Sequence, residues 1–297
     1  MTVLVTGASG FVGSAVLRRL ALSGRAVRVL VHEQEPDVPR GTEVVRGDVT
    51  DPRSLRGIGD GVDVVLHLAS YVGTDPQRCA AVNERGTRHL LAEVGARPVV
   101  RLGTAAVYGS GPFTAATERI TPQPASVRSA TRLAGERLVL AAGGVVLRPY
   151  FVFGAGDRWV VPGLLDVLER VGGVPGDARL SLTDVRDLAR WLVALATPDG
   201  PRGAFLACPR TPTGLVELAS AVTRTLGLAV PPVVDPDEAA RRWTAAGGTR
   251  HHLDLFAVDH WFDGSALHDR LGGGDRGFAA AFADHAAWYR TALQRSG

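Results

Sequence analysis

Thr6-Gly7-Ala8-Ser9-Gly10-Phe11-Val12-Gly13 stands where a short apolar run, Val3 to Val5, gives way to an amphipathic segment, Phe11 to Leu22. Glycines at this spacing allow a tight turn, close backbone approach to a pyrophosphate, and tight strand–helix packing. The first N–H groups of the helix, aligned with its dipole, then suit phosphate oxygens. The chemistry implied is nucleotide binding, with Gly7, Ser9, Gly10, Phe11, Val12 and Gly13 as contacts.

The next strand is expected to end Val29-Leu30-Val31-His32. A carboxylate at that end would hydrogen-bond the adenosine ribose and repel a 2′-phosphate. Val31 and His32 supply none, and His32 can donate to a phosphate, which favours NADP(H) over NAD(H). Glu33, next in the chain, weakens that inference. Arg40 is either a second phosphate contact or a solvated loop arginine. In Gly47-Asp48-Val49-Thr50-Asp51, Asp48 either meets the adenine amine, with Val49 beside it, or caps its own turn. His67-Leu68-Ala69-Ser70 closes a further strand, and Leu68, Ala69 and Ser70 are expected to pass over the ribose and diphosphate.

Groups spread this widely need a scaffold that gathers strand ends. Six short β-branched runs alternate with amphipathic segments: Val3 to Val5, Val27 to Val31, Val44 to Arg46, Val62 to Leu66, Val99 to Leu102 and Val145 to Leu147. Helical spacing marks Phe11 to Leu22, Gln77 to Val94 and Val127 to Leu140. The pattern is that of a doubly wound parallel sheet covered by helices on both faces. Beyond Arg148-Pro149 the regularity loosens. Helices are expected near Val161 to Arg170, Asp184 to Ala196, Thr213 to Leu226 and Phe278 to Leu293, with a strand near Ala204 to Ala207. Residues 241–274 read as an irregular lobe or lid. The domains expected are 1–155 with 178–210 for the dinucleotide, and 156–177 with 211–297 as a smaller C-terminal substrate lobe.

At 297 residues the chain can bury one large core or a core plus a lobe, and 45% hydrophobic with 21% charged residues is ordinary for a globular protein. The net charge of +3, without basic runs, gives no support to nucleic-acid binding. No apolar stretch suits a membrane span and the first residues lack a leader pattern, so a cytoplasmic location is expected. Cys79 and Cys208 read as two reduced thiols, and no metal-ligand spacing occurs. All 33 basic residues are arginines, because the chain contains no lysine. GC-rich codon usage accounts for that on the surface, yet it leaves no ammonium side chain for chemistry.

Together these segments resemble the extended short-chain dehydrogenase/reductases, which include sugar-nucleotide epimerases, dehydratases and dihydroflavonol reductases. The match continues through Val82-Asn83-Glu84-Arg85-Gly86-Thr87, Thr104-Ala105-Ala106-Val107-Tyr108-Gly109, Leu147-Arg148-Pro149, Val152-Phe153-Gly154 and Val185-Arg186-Asp187-Leu188-Ala189. It covers residues 2 to about 207 and implies a Rossmann-type α/β fold. By resemblance, Thr104 hydrogen-bonds the substrate oxygen, Asn83 helps order the site, and Pro149 and Val152 lie against the cofactor. The family also uses a Tyr, with a Lys four residues on, as proton donor and ribose holder. With the family's terminal Glu placed on Glu136, Arg128 falls at the Tyr position and Arg132 at the Lys position. No shift of register changes this, since no Tyr lies between Tyr108 and Tyr150.

Reduction of a carbonyl needs stabilisation of the growing oxyanion and then a proton. Thr104 can donate one hydrogen bond, and Arg132 can hold the ribose as a planar fork. Arg128 either stabilises an alkoxide or is a solvated or substrate-clamping arginine; its high pKa makes it a poor proton donor. The proton then comes from water, from the substrate itself, or from Tyr71 or Tyr150, either of which otherwise packs. Tyr71, Tyr150, Phe151 and Trp159 are the expected substrate contacts, and Trp243, Trp261, Phe256 and Phe262 are further candidates to line a pocket for flat rings. An intact cofactor site without the Tyr–Lys pair resembles atypical ketoreductases of actinomycete antibiotic pathways. That implies NADPH as cofactor and a polycyclic aromatic ketone of angucyclinone type as small-molecule partner. A non-catalytic NADP(H)-binding sensor and a sugar-nucleotide epimerase or dehydratase are the rival readings.

Overall fold

Val3, Leu4 and Val5 are completely buried, as expected for a strand covered on both faces. The computed structural model describes residues 1–272 and 276–294. The chain opens with β1 (Thr2–Thr6), α1 (Phe11–Ala21), β2 (Ala26–Val31), β3 (Glu43–Arg46) and β4 (Val64–His67). A helical run follows as α2 (Pro76–Cys79), a π-helical stretch over Ala80–Gly86, and α3 (Thr87–Val94). Next come β5 (Val99–Leu102), β6 (Phe113–Ala116), α4 (Val127–Ala141), β7 (Val145–Arg148) and β8 (Phe151–Phe153). They lead to α5 (Val160–Val171), β9 (Val174–Pro175), β10 (Arg179–Leu180), β11 (Leu182–Asp184), α6 (Val185–Leu195) and β12 (Gly203–Leu206). β13 (Thr213–Gly214), α7 (Leu215–Leu226), β14 (Val233–Val234), α8 (Pro236–Ala245) and α9 (Arg250–Ala257) follow. β15 (His260–Phe262), α10 (Ser265–Leu271), α11 (Phe278–Ala283) and α12 (Ala286–Gln294) end the described chain.

Two compact units emerge, residues 1–110, 120–149 and 186–207 in the first, and 111–119, 150–185 and 208–297 in the second. The first holds a seven-stranded parallel sheet in the order β12-β7-β5-β4-β1-β2-β3. The winding reverses between β1 and β4, and a crevice at such a reversal is where α/β sheets bind ligands. Leu4, Leu30, Leu55, Leu90, Val99 and Val146 anchor one core of this unit. α4, which carries Arg128 and Arg132, starts at a reciprocal cap: Ser126 Oγ accepts from Ser129 N, and Ser129 Oγ accepts from Ser126 N.

The second unit packs α5, α7 and α11 around Phe153, Leu164, Leu218 and Phe282. Its four-stranded sheet runs β13-β10-β15-β6, and β8 pairs with β11. These pairings separate the observed units from the expected domains. β6 (Phe113–Ala116) pairs with β15, β8 (Phe151–Phe153) with β11, and β10 (Arg179–Leu180) with β13 and β15, all within stretches expected in the dinucleotide domain.

Three expectations about elements need correction. The segment from 241 is regular, since it carries the end of α8, then α9, β15 and α10; residues 273–275 lie outside the described residues. Its start signals are present in the chain: Asp235 caps α8 ahead of Pro236, and Thr249 Oγ1 accepts from His252 N to cap α9. The expected final helix is two, broken at Asp284 and His285. Gln77 to Val94 is helical throughout but contains the π stretch, which shifts hydrogen-bond register at Asn83.

Candidate functional site

The glycine turn is built for close approach. Gly7 has φ +72°, and a Cβ there would lie 2.5 Å from Ala69 N. Gly10 caps α1 without a side-chain hydrogen bond, so the helix N-terminus keeps its donors. A cavity of about 490 Å³ opens at the ends of β1 to β4. Gly7, Ser9, Gly10, His32, Asp48, Val49, Leu68, Ala69 and Ser70, all expected from the sequence, line it. Phe11, Val12 and Gly13 form the first turn of α1 rather than the wall. Glu33, weighed in the sequence against a 2′-phosphate, lines it too, as do Gln34, Thr50, Arg78, Ala81 and Val82, which were not named as contacts; the last three come from the α2–π segment, whose approach to β4 is tertiary. The donor set fits a dinucleotide: backbone N–H groups and Ser9 for phosphates, Leu30, Val31 and Val49 as apolar walls, Asp48 as an acceptor.

Asp48 also serves its own turn, accepting from Thr50 N at 2.8 Å and Thr50 Oγ1 at 2.6 Å. Burial alone would raise its carboxyl, but these bonds and the nearby His32, 3.5 Å away, bring it below the usual range. Both readings of Asp48 are thus compatible, since a carboxylate has about four lone-pair sites. Arg40 is not among the cavity's lining residues.

Under the cavity lies a buried polar chain. Thr87 Oγ1 donates to Asn83 O at 2.8 Å and accepts from Arg101 Nη1 at 2.6 Å. It must therefore accept from His67 Nε2 at 3.0 Å, which fixes the neutral Nε2–H tautomer and leaves Nδ1 to accept from Thr6 Oγ1 at 2.7 Å. Thr6 Oγ1 in turn accepts from Ala69 N. Asn83, as the resemblance implies, orders the loop beyond β4. Its Oδ1 accepts from Tyr71 N and Ser70 Oγ, while its Nδ2 donates to Tyr71 O and Thr131 Oγ1.

Burial, then the Arg101 charge, holds His67 well below the ordinary imidazole range. The unfolded chain takes up this proton near pH 6.5 while the folded protein does not, so stability is full above that pH and falls as pH drops. The expected loss is up to about 1.4 kcal/mol per pH unit in this window. Urea midpoints at about pH 7.5 and about pH 5.5 check it, and His67→Gln should flatten the dependence. An unaltered slope in the variant would place the acid sensitivity elsewhere.

The Thr104 turn follows β5. Thr104 Oγ1 accepts from Ala106 N at 3.2 Å, which leaves its hydrogen to donate outward. Its N–H bonds to Oε1 of the fully buried Glu136, whose Oε2 accepts from Arg148 Nε at 2.8 Å. Arg148 Nη1 donates to Tyr108 Oη, and the Tyr108 side chain is buried. Gly103 is required here, because a Cβ would sit 2.4 Å from Glu136 Oε1. Arg132 is half-buried, and its Nη2 donates to Gly103 O at 2.7 Å. Its fork grips the turn and is absent from the cavity wall, where ribose contact was expected. Arg128 is exposed and donates to Val72 O. Tyr71 is half-buried and lies under the Arg78 guanidinium at 4.8 Å. Pro149 O accepts from Ala105 N, an anchor for the Thr104 turn rather than a cavity contact.

In the second unit, Tyr150 stacks on Phe151 at 4.4 Å and on His260 at 5.3 Å, with Phe262 tilted beside it. Its hydroxyl is buried without a hydrogen-bond partner, and burial raises its pKa, so it stays a neutral phenol. Val152 lies in β8, paired with Thr183. Phe256, Phe262 and Trp243 are core side chains, and Trp261 is half-buried with its Nε1 unpartnered, whereas Trp159 is 75% exposed at the start of α5. The expectation of a shared ring pocket fails for Trp243, whose Nε1 is bound to Thr249 O. Cys79 and Cys208 are both buried free thiols.

The NAD dependent epimerase/dehydratase family model matches residues 3–205. The chain belongs to this family. It is therefore an enzyme of a nicotinamide dinucleotide-dependent type, and the cavity described above fits that cofactor. A 3 beta-hydroxysteroid dehydrogenase/Delta 5→4-isomerase of Mycobacterium tuberculosis is 29% identical over 283 residues, 84% of this chain and 76% of its own. A 4-hydroxy-2-methyl-3-oxo-4-farnesyl-3,4-dihydroquinoline-1-oxide ketoreductase of Stigmatella aurantiaca is 29% identical over 262 residues, 81% and 78% of the two chains. MoeE5 in complex with UDP-glucose and NAD superposes with a TM-score of 0.73 at 25% identity, covering 99% of this chain and 100% of its own. The UDP-glucose 4-epimerase of Thermotoga maritima, TM-score 0.79 at 20% identity over 99% and 100% of the two chains, shares the fold. Among the described residues no helix is long and apolar enough to cross a membrane.

Proposed function

We propose that this family member is an NADPH-dependent ketoreductase acting on a carbonyl of an aromatic polyketide of angucyclinone type, with the substrate's own hydroxyl supplying the proton. The observation that carries the reading is the make-up of the Thr104 turn. Beside an outward hydroxyl stand guanidiniums, with no lysine in the chain and no tyrosine between Tyr108 and Tyr150. Bound in the cavity, the dinucleotide supplies hydride. Thr104 orients and polarises the carbonyl oxygen, Asn83 keeps the Ser70–Tyr71 loop in place, and a phenol or enol next to the ketone gives the proton. The resemblance to atypical ketoreductases, the angucyclinone ketoreductase of simocyclinone biosynthesis among them, and the Stigmatella ketoreductase relative both support this substrate class. His32 on the cavity wall supports the 2′-phosphate form of the cofactor, while Glu33 on the same wall favours the form without it.

Incubation with NADPH and an angucyclinone, followed by mass spectrometry, is expected to show the alcohol; cofactor binding with no alcohol across polycyclic ketones would sink the reading. Fluorescence titration should show tighter binding of NADPH than of NADH. Thr104→Val is expected to lower kcat by about 100- to 1,000-fold, the scale for losing one donor to a developing oxyanion. Its NADPH affinity should hold, since Thr104 is not in the cavity wall. A second reading, a sugar-nucleotide enzyme, is favoured by the likeness to MoeE5 holding UDP-glucose and NAD. Calorimetric binding of UDP-glucose would promote it.

A further inference from the structure

Arg101 on β5, Arg132 on α4 and Arg148 on β7 are three guanidiniums answered by one carboxylate, Glu136. Arg128, one turn before Arg132, adds a fourth positive charge that acts on it. Both Glu136 oxygens are taken, one by Arg148 and one by Thr104 N. Arg101 spends two of its nitrogens on Thr87 Oγ1 and Asn83 O. An excess of buried positive charge is costly unless an anion answers it.

Arg101 Nε and Arg132 Nε are both buried without an acceptor, but Arg101 is only 1% exposed whereas Arg132 is half-buried, so Arg132 is the one a ligand can reach. Its Nη2 is anchored on Gly103 O, but its Nε is buried with no acceptor. Burial pushes its pKa down, Glu136 pulls it up and Arg128 pushes it down again, so the site disfavours the cation it contains. Gly103 directly precedes Thr104, so the guanidinium whose Nε lacks an acceptor is anchored on the turn that carries the hydroxyl assigned to the substrate's carbonyl. The cofactor's phosphates have their own place, since the nucleotide cavity does not count Arg132 among its walls.

We propose that Arg132, assisted by Arg128, receives the ionised oxygen of an aromatic substrate and so acidifies the phenol or enol beside its ketone. The inference rests on the ketoreductase reading and concerns the proton alone. In that transfer the phenolic O–H bond breaks and the proton passes to the neighbouring former carbonyl oxygen. The electron pair stays behind as a phenolate facing the guanidinium, and water returns a proton after release. Arg101 and Arg148 reinforce the field, Glu136 opposes it, and His67, neutral in the folded state, adds no charge.

The test uses 1-hydroxyanthraquinone, whose single phenol stands beside a ketone and whose ionisation shifts its visible absorption, titrated on the purified chain without nucleotide. The bound dye is expected to ionise about one pH unit or more below the free dye, a tenfold change in its acid constant. Arg132→Met should abolish that shift and Arg132→Lys should keep part of it. Arg128→Met, at an exposed position, should reduce the shift. A bound dye that titrates like free dye, a full shift surviving in Arg132→Met, or no retention of the dye by the wild-type chain overturns the proposal. Because no nucleotide is present, failure here is separate from failure of the ketoreductase reading, which is decided by the alcohol product.

Discussion

Glu136→Ala is expected to destabilise the protein by about 3–5 kcal/mol, because it leaves the Arg148 guanidinium buried and unpaired. Both partners are out of solvent, Arg148 at 6% and Glu136 at 0% side-chain exposure, so water cannot replace the lost carboxylate. The same substitution removes the acceptor for Thr104 N, and the turn that presents the Thr104 hydroxyl loses its anchor. Glu136→Gln keeps an acceptor and should cost less. The pair Glu136→Leu with Arg148→Met should recover only the part of the stability due to Arg148, since Arg101, Arg132 and Thr104 N still lose the carboxylate. Urea unfolding of the four proteins measures this. A cost near that of a surface ion pair, under about 1 kcal/mol for the alanine variant, would show that the cluster is not charge-locked.

Gly7→Val should abolish most nucleotide binding. A β-branched residue at φ +72° carries backbone strain of about 1–3 kcal/mol. Its Cβ would also collide with Ala69 N at 2.5 Å, and a backbone atom cannot rotate aside. Relief requires moving Leu68 to Ser70, which are walls of the cavity. Strain of that size relieved on the bound face corresponds to about a 10- to 100-fold rise in the dissociation constant of the nicotinamide dinucleotide. Fluorescence titration reads it directly. Wild-type affinity in Gly7→Val would mean that the turn does not cradle the cofactor.

The nucleotide half of the site was legible because its residues are local. Thr6 to Gly13 carry turn, cap and helix start within eight positions, and their geometry depends on little else. The seven-stranded sheet was likewise readable from apolar runs, including its late strand at Gly203–Leu206. The second unit was legible in helices such as α5 and α7, which stand close to where they were expected, but not in its strands. β6 pairs with β15 from more than a hundred residues away, and two- and three-residue strands have no period to detect. Cap signals at Asp235 and Thr249 were present in the chain but outweighed by weak periodicity.

Residue types and order alone determined the family scaffold, the glycine turn and the lack of lysine and of a tyrosine four residues before Arg132. Only the tertiary structure decided that Arg132 grips Gly103, that Glu136 is shared by Arg148 and Thr104, and that Asn83 and Arg101 meet across a π-helical stretch. Periodicity reports which face of an element is buried, but the partner of a buried charge is chosen by strands and helices distant in sequence, where desolvation makes each pairing matter.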